Sequence, residues 1–368
     1  MYNTENTLNS KNELRRNYYL GSIALLIAAV GLILTRILFG LGLFDYMPMA
    51  VSDFLGSLII QIIFIGGGGL LVLTIQHNLQ VNKNKLLNNN AEPKVTIKSR
   101  LKEMGFRLPR IYLIPLSFVL GILFFIMTIG ISYINQVILL LMGYNLPTAY
   151  EEAAGGIGLF LLALLNTAVL PGICEEFLNR GLVLRSLRDT MQDKYAIIIS
   201  ALIFGLLHAN VRQTLYTLAG GIIFATLTVK TRSILPAMII HFMNNAISVY
   251  SSHAYYNGWV GGNWDSFLIN NFALSIVLWL IVTALFIGVL FLIVKAETKH
   301  QKKKIELENT NNLENTMMDI NPITSPFGVF YARKVPLYKP QIEDKIIMWT
   351  SIFLLIVVTG FSFYMGLF

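Results

Sequence analysis

Charge is what this sequence has least of. Only 13% of its 368 residues are Asp, Glu, Lys or Arg, against about 25% in an ordinary soluble domain, while 55% are hydrophobic. Water cannot be the solvent for most of such a surface, so lipid has to be. Cysteine is nearly absent too. The single Cys174 excludes an intrachain disulfide framework and any Cys-rich zinc or iron–sulfur site, and leaves the redox compartment open. Internal repeats of 20 to 50 residues are also missing, which removes solenoid architectures.

What the sequence does have is long apolar runs. A membrane-spanning helix needs about 20 such residues, and nine stretches qualify: about 17 to 44, 54 to 76, 111 to 143, 157 to 179, 195 to 209, 212 to 229, 234 to 250, 272 to 295 and 346 to 367. The first is too long for a signal-peptide core of roughly 7 to 15 residues and is expected to stay as an anchor. The fold class that follows is all-α, a polytopic membrane bundle of about nine helices.

The net charge of +8 lies in loops between the spans, so the lipid bilayer, and not nucleic acid, is the expected partner. The segment from His77 to Arg110 holds eight Lys and Arg residues, and Lys299, Lys302, Lys303 and Lys304 follow the eighth span. Residues 45 to 53, 144 to 156 and 252 to 271 hold none. The positive-inside rule then sets the amino terminus in the cytoplasm and the carboxyl terminus outside. Four units are expected: 1–110, two spans and a basic loop; 111–295, a catalytic core; 296–345, a flexible linker rich in Asn, Glu and Lys; and 346–368, a final span that reads as an appendage. The glycine run Gly66 to Gly69 lies inside a span, where close helix packing is the simpler explanation.

Ionisable groups within spans are costly, roughly 2.5 to 3.5 kcal/mol each at the centre, and point to function by default. Here they cluster. Glu175, Glu176 and Arg180 close the fourth span, His208 ends Phe-Gly-Leu-Leu-His, and His241 opens His-Phe-Met-Asn-Asn. Positions four apart share a helical face and adjacent ones diverge by about 100°. Glu176 is therefore set to pair with Arg180, which leaves Glu175 on another face. Phe204 shares a face with His208 and walls the pocket, and His241 shares one with Asn245.

This pattern suits amide hydrolysis. Glu175 and His208 hold and deprotonate a water, and His241 with Asn245 supplies two donors for the oxyanion. A second assembly uses Glu175, His208 and His241 as three ligands of a catalytic Zn²⁺. The sequence leaves both open. Counting from the basic loops puts Glu175 near the cytoplasmic end of its span and His208 near the far end of a short one, a mismatch in depth.

The three motifs Glu-Glu-x-x-x-Arg (Glu175, Glu176, Arg180), Phe-x-x-x-His (Phe204, His208) and His-x-x-x-Asn (His241, Asn245), in that order on consecutive apolar helices, resemble the CPBP intramembrane proteases of the ABI/CAAX prenyl protease type. The resemblance covers about residues 100 to 250. It implies a CAAX-protease-like core, water activation by Glu175 and His208, an oxyanion site at His241 and Asn245, and a peptide or membrane-protein substrate cut near the cytoplasmic face. His-Glu-x-x-His, Gly-x-Gly-Asp and Gly-x-Ser-Gly, the marks of other intramembrane proteases, are absent. Bacterial members of the family are associated with bacteriocin immunity and peptide maturation, so a non-proteolytic binding protein of the same fold, or a sensor-kinase partner, is the alternative. The high Asn, Ile and Lys content points to a bacterial source, and the spans outside 100 to 250 are expected to say nothing about chemistry.

Overall fold

A computed structural model describes residues 2–86, 96–145, 156–315 and 339–367. Among them there are helices and turns and no strand, as backbone immersed in lipid requires, because a helix satisfies its own N–H and C=O groups. In chain order they are α1 (Tyr2–Gly40), α2 (Met49–Leu58), α3 (Gly68–Leu86), α4 (Ile97–Glu103), α5 (Leu113–Leu141), α6 (Ile157–Leu164), α7 (Leu170–Glu176), α8 (Leu184–Thr190), α9 (Asp193–Leu207), α10 (Val211–Thr231), α11 (Leu235–Asn257), α12 (Trp264–Asn270), α13 (Phe272–Asn315) and α14 (Ile342–Met365). Three π-helical stretches join some of these into longer rods. Ile59–Gly67 links α2 to α3, and Leu165–Val169 and Phe177–Val183 link α6, α7 and α8.

Among the described residues six rods are long and apolar enough to cross a bilayer: Leu14–Gly40, Val51–Leu79, Leu113–Leu141, Ile157–Thr190, Phe272–Lys304 and Ile342–Met365. The chain is a multi-pass membrane protein. Of the nine expected spans, six meet this test of length and composition. The other three expected spans are all helices, α9, α10 and α11, but α9 has only 15 residues and α10 and α11 carry too many polar groups to pass as apolar spans. They bear Arg212, Lys230, His241, Asn244 and Asn245, and His208 follows α9 directly.

Local sequence sets the breaks. Asn210 caps α10 by accepting from the Arg212 amide. Arg232, at φ 57°, turns the chain left-handed after α10, and Pro236 then opens α11, where a missing N–H costs nothing. Asp193 starts α9 and binds Arg188 through both oxygens, at 2.7 and 3.1 Å. Because Arg180, Arg185 and Arg188 all find acidic partners, the fourth rod does not stop at residue 179 but runs to Thr190.

Two apolar cores hold the rods. One gathers Ala24, Leu25 and Ala28 of α1 with Val183, Leu184 and Leu187, and takes in Met348 and Leu355 of α14. The other gathers Leu120 and Phe124 of α5 with Phe204, Phe224 and Ile240. The last helix is therefore no appendage. It packs on α1, where Arg15 donates to Asp344 at 2.6 Å, and reaches α9 through Thr359. The expected linker also starts later than 296, since α13 continues through a Lys- and Glu-rich, glycine-free run to Asn315; its stretch 316–338 lies outside the described residues.

The glycines sit at close approaches. In the run expected to pack tightly, a Cβ on Gly68 would stand 2.7 Å from Ile27, and one on Gly69 would stand 2.6 Å from Phe177. At Gly221 the obstacle is backbone: a Cβ there would lie 2.8 Å from the Ala201 Cα and 3.1 Å from its carbonyl oxygen. Gly221→Val is expected to wedge α9 from α10 and lower stability by about 1–3 kcal/mol. Gly288→Ala, which meets nothing within 4 Å, is expected to leave it unchanged. Thermal unfolding in detergent, read by size-exclusion chromatography, distinguishes the two.

Candidate active site

Glu175 and Glu176 end α7 at mid-rod, eighteen residues after Ile157 and fifteen before Thr190. Along the rod Glu175 is therefore not terminal, as a span of 157 to 179 would have it. The two carboxylates diverge as their helical positions require. The carboxylate of Glu176 turns into the seam between the two cores. Its Oε2 lies 3.0 Å from Arg180 Nε, with both side chains fully buried, and its Oε1 accepts from His241 Nδ1 at 2.9 Å. The Arg180 contact is a charge contact whose N–H directions miss the oxygen. The guanidinium lies instead over the Phe204 ring, 4.2 Å from its centroid, with Phe224 at 5.3 Å. Cation–π attraction strengthens when water is excluded, and here it is.

His241 is held on three sides. Its ring stacks on Phe224 at 5.6 Å, meets Phe204 edge-on at 5.7 Å, and is tethered by Glu176. Because a carboxylate accepts only, Nδ1 carries the proton and Nε2 faces away from the tether. His208 follows the same logic. Its Nδ1 is 2.9 Å from the carbonyl oxygen of Phe204, which also accepts only, so Nδ1–H donates and Nε2 keeps its lone pair when the ring is neutral. The Phe204 ring touches His208 edge-on at 5.1 Å, so one phenylalanine contacts His208, His241 and Arg180.

Glu175 points elsewhere. Its Oε1 accepts from Gln61 Nε2 at 2.6 Å, and its charge acts on the half-buried phenol of Tyr216. Cys174 packs against Gly66, where a Cβ would stand 3.2 Å from its sulfur. The carboxamide of Asn245 donates to the Thr167 carbonyl at 2.9 Å and accepts from Asn244, which Thr128 holds in turn. One N–H of Asn245 is left over after these bonds. Among the described residues no hydrogen bond joins Glu175 to His208 or His241 to Asn245.

Among the described residues no group of three or more His, Cys, Asp and Glu side chains is gathered closely enough to hold a metal. Glu175 is turned to Gln61 and His241 to Glu176.

Motif reading passed over three groups. Gln61 and Arg36 stand among apolar neighbours, and that was their signal; Tyr216, next to Gln213, Thr214 and Thr217, carried none. Arg36 donates to the carbonyl of Ala209 at 2.7 Å. Ala209 follows His208 in a left-handed conformation, φ 46°, that a residue with a Cβ rarely adopts. Two of the three groups lie in the first two rods, which were expected to be silent about chemistry.

Residues 157–247 match the family described as Type II CAAX prenyl endopeptidase Rce1-like. That stretch contains Glu175, Glu176, Arg180, Phe204, His208, His241 and Asn245, so the class read from the three motifs is met by a whole-segment match. The chain is also similar to Putative membrane peptidase YdiL of Bacillus subtilis (strain 168), with 30% identity over 88 residues. The shared stretch is 24% of this chain and about a third, 36%, of the relative. No solved structure matches significantly.

The buried triad of Glu176, Arg180 and His241 sets a stability test. Glu176→Leu or Arg180→Leu strands a buried charge and is expected to cost about 3–5 kcal/mol. The double replacement removes both charges and is expected to recover part of that loss. Yield of folded protein and unfolding temperature measure each.

Proposed function

We propose that this chain is an intramembrane endopeptidase of the CAAX-protease type that hydrolyses a peptide bond with a water activated by Glu175 and His208. The observation that carries this reading is the tether of His208. With Nδ1–H donated to a backbone carbonyl, Nε2 is the nitrogen that takes a proton, and it does so beside the Phe204 wall. Glu175 orients the water and shares its proton, and the hydroxide attacks the scissile carbonyl. The proton then passes to the departing amine.

The tether of His241 refines the oxyanion role. Since its Nδ1–H is committed to Glu176, Nε2 donates to an oxyanion only when the ring is an imidazolium. Asn245 supplies its remaining N–H, already aimed by Thr167 and Asn244. The reaction so written needs no metal.

A cavity of about 310 Å³ supports access by a peptide strand. It lies beside the Asn245–Thr167 contact and is lined by apolar Phe54, Leu159 and Leu162 and by polar Asn166, Ser252 and His253. Such a mixture fits an extended backbone with modest side chains. The helix ends around it adjoin loops without Lys or Arg, which assigns them to the outer face, with the amino terminus in the cytoplasm. In a Cys174→Ser background, Ser252→Cys is expected to react with an impermeant maleimide added outside intact cells. Protection there with labelling from the cytoplasm would reverse the topology.

The activity itself is tested with purified full-length chain in lipid nanodiscs and a quenched-fluorescent farnesylated peptide ending in a CAAX sequence. Glu175→Gln and His208→Ala are each expected to lower cleavage by about 10²–10⁴-fold with unfolding temperature unchanged. Treatment with 1,10-phenanthroline is expected to leave the rate intact. Cleavage that survives Glu175→Gln rejects the mechanism, and rate loss on chelation, restored by Zn²⁺, rejects its metal-free form. A physiological effect that persists in the Glu175→Gln strain favours the non-proteolytic binding protein.

A further inference from the structure

The amino-terminal rods lie outside the 157–247 segment that matches the protease family, yet two of their polar side chains reach the water-activating pair. Gln61 is buried, 7% exposed, in the π-helical stretch Ile59–Gly67. π-Helical turns widen the helix by one residue and are often found at functional sites. Here the stretch packs directly on α7. A Cβ at Gly66 would stand 3.2 Å from the Cys174 sulfur, next to Glu175, and 3.0 Å from the Gln61 carbonyl. This close approach brings the Gln61 carboxamide within 2.6 Å of Glu175 Oε1. The carboxamide oxygen of Gln61 is buried without a protein partner, so nothing in the protein competes to rotate the amide away from Glu175.

Arg36, at the far end of α1, grips the other member. It donates to the carbonyl of Ala209 at 2.7 Å, the residue that leaves α9 at φ 46° directly after His208. A left-handed residue with a Cβ persists only where its surroundings over-determine it. Arg36 is one of those surroundings. Thr359 of α14, near the Leu206 carbonyl at 3.4 Å, braces the same helix end.

We propose that Gln61 and Arg36 are positioning residues: Gln61 fixes the Glu175 carboxylate so that one oxygen is left to the water, and Arg36 fixes the turn that aims the His208 ring. The inference rests on Glu175 and His208 being the water-activating pair. On this basis the first two rods are part of the catalytic apparatus, and the matched family segment would be an incomplete catalyst without them.

Two readouts test it separately from the activity. In nanodiscs without substrate, the infrared difference between wild type and Glu175→Gln isolates the carboxylate stretch of Glu175. Gln61→Ala is expected to move that band, because a carboxylate loses a short N–H donor, while Arg36→Ala leaves it in place. With the farnesylated CAAX peptide, Gln61→Ala and Arg36→Ala are each expected to lower kcat about ten- to a hundredfold with little change in KM, and Arg36→Lys to restore part of the rate. A fixed infrared band on Gln61→Ala, or loss confined to KM or to folded yield, overturns the proposal. If wild type does not cleave the peptide, the endopeptidase reading on this substrate fails, and the band shift still decides whether Gln61 holds Glu175.

Discussion

One buried charge cluster governs this structure. Glu176, Arg180 and His241 meet where two apolar cores adjoin, and every one of them is buried. A guanidinium in such a place is tolerable only with a carboxylate beside it and aromatic faces above it, and Phe204 and Phe224 supply the faces. From this requirement much else follows. The four helices that provide the charges and the rings, α7 with its π extension, α9, α10 and α11, are locked to one another. His241 is oriented, and its tautomer is set. Glu175, one position away, is turned out of the cluster towards Gln61.

The outer rods serve the same centre. α1, the α2–α3 rod and α14 pack as one apolar core on α8 and α9, and through it Gln61 and Arg36 arrive at Glu175 and at the turn after His208. Dividing the chain into a catalytic core with added spans separates groups that touch. The resemblance to known membrane peptidases covers the helices that carry the motifs; the contacts that steady those motifs come partly from elsewhere in the chain.

Periodicity and charge made much of this visible beforehand. Apolar runs located every membrane-length rod, and the spacing of four in Glu176–Arg180 predicted an ion pair that forms at 3.0 Å. Three things were hidden, each for a physical reason. α9, α10 and α11 were counted with the six rods because all three are apolar on average, although in length or apolarity they fall short of them. The end of the fourth rod was misplaced because Arg185 and Arg188 look like a membrane boundary until Glu103 and Asp193 neutralise them. The partner of His241 was hidden because Glu176 lies 65 positions away, and helical spacing reports neighbours on one helix only.

The central claim is that Glu175 directs a water onto a peptide bond, and cells that make the protein test it most directly. Membranes holding wild type or Glu175→Gln at equal folded levels are compared by mass spectrometry for newly formed peptide termini. Termini present with wild type and absent with Glu175→Gln are the predicted result. Identical sets of termini in the two membranes would contradict it.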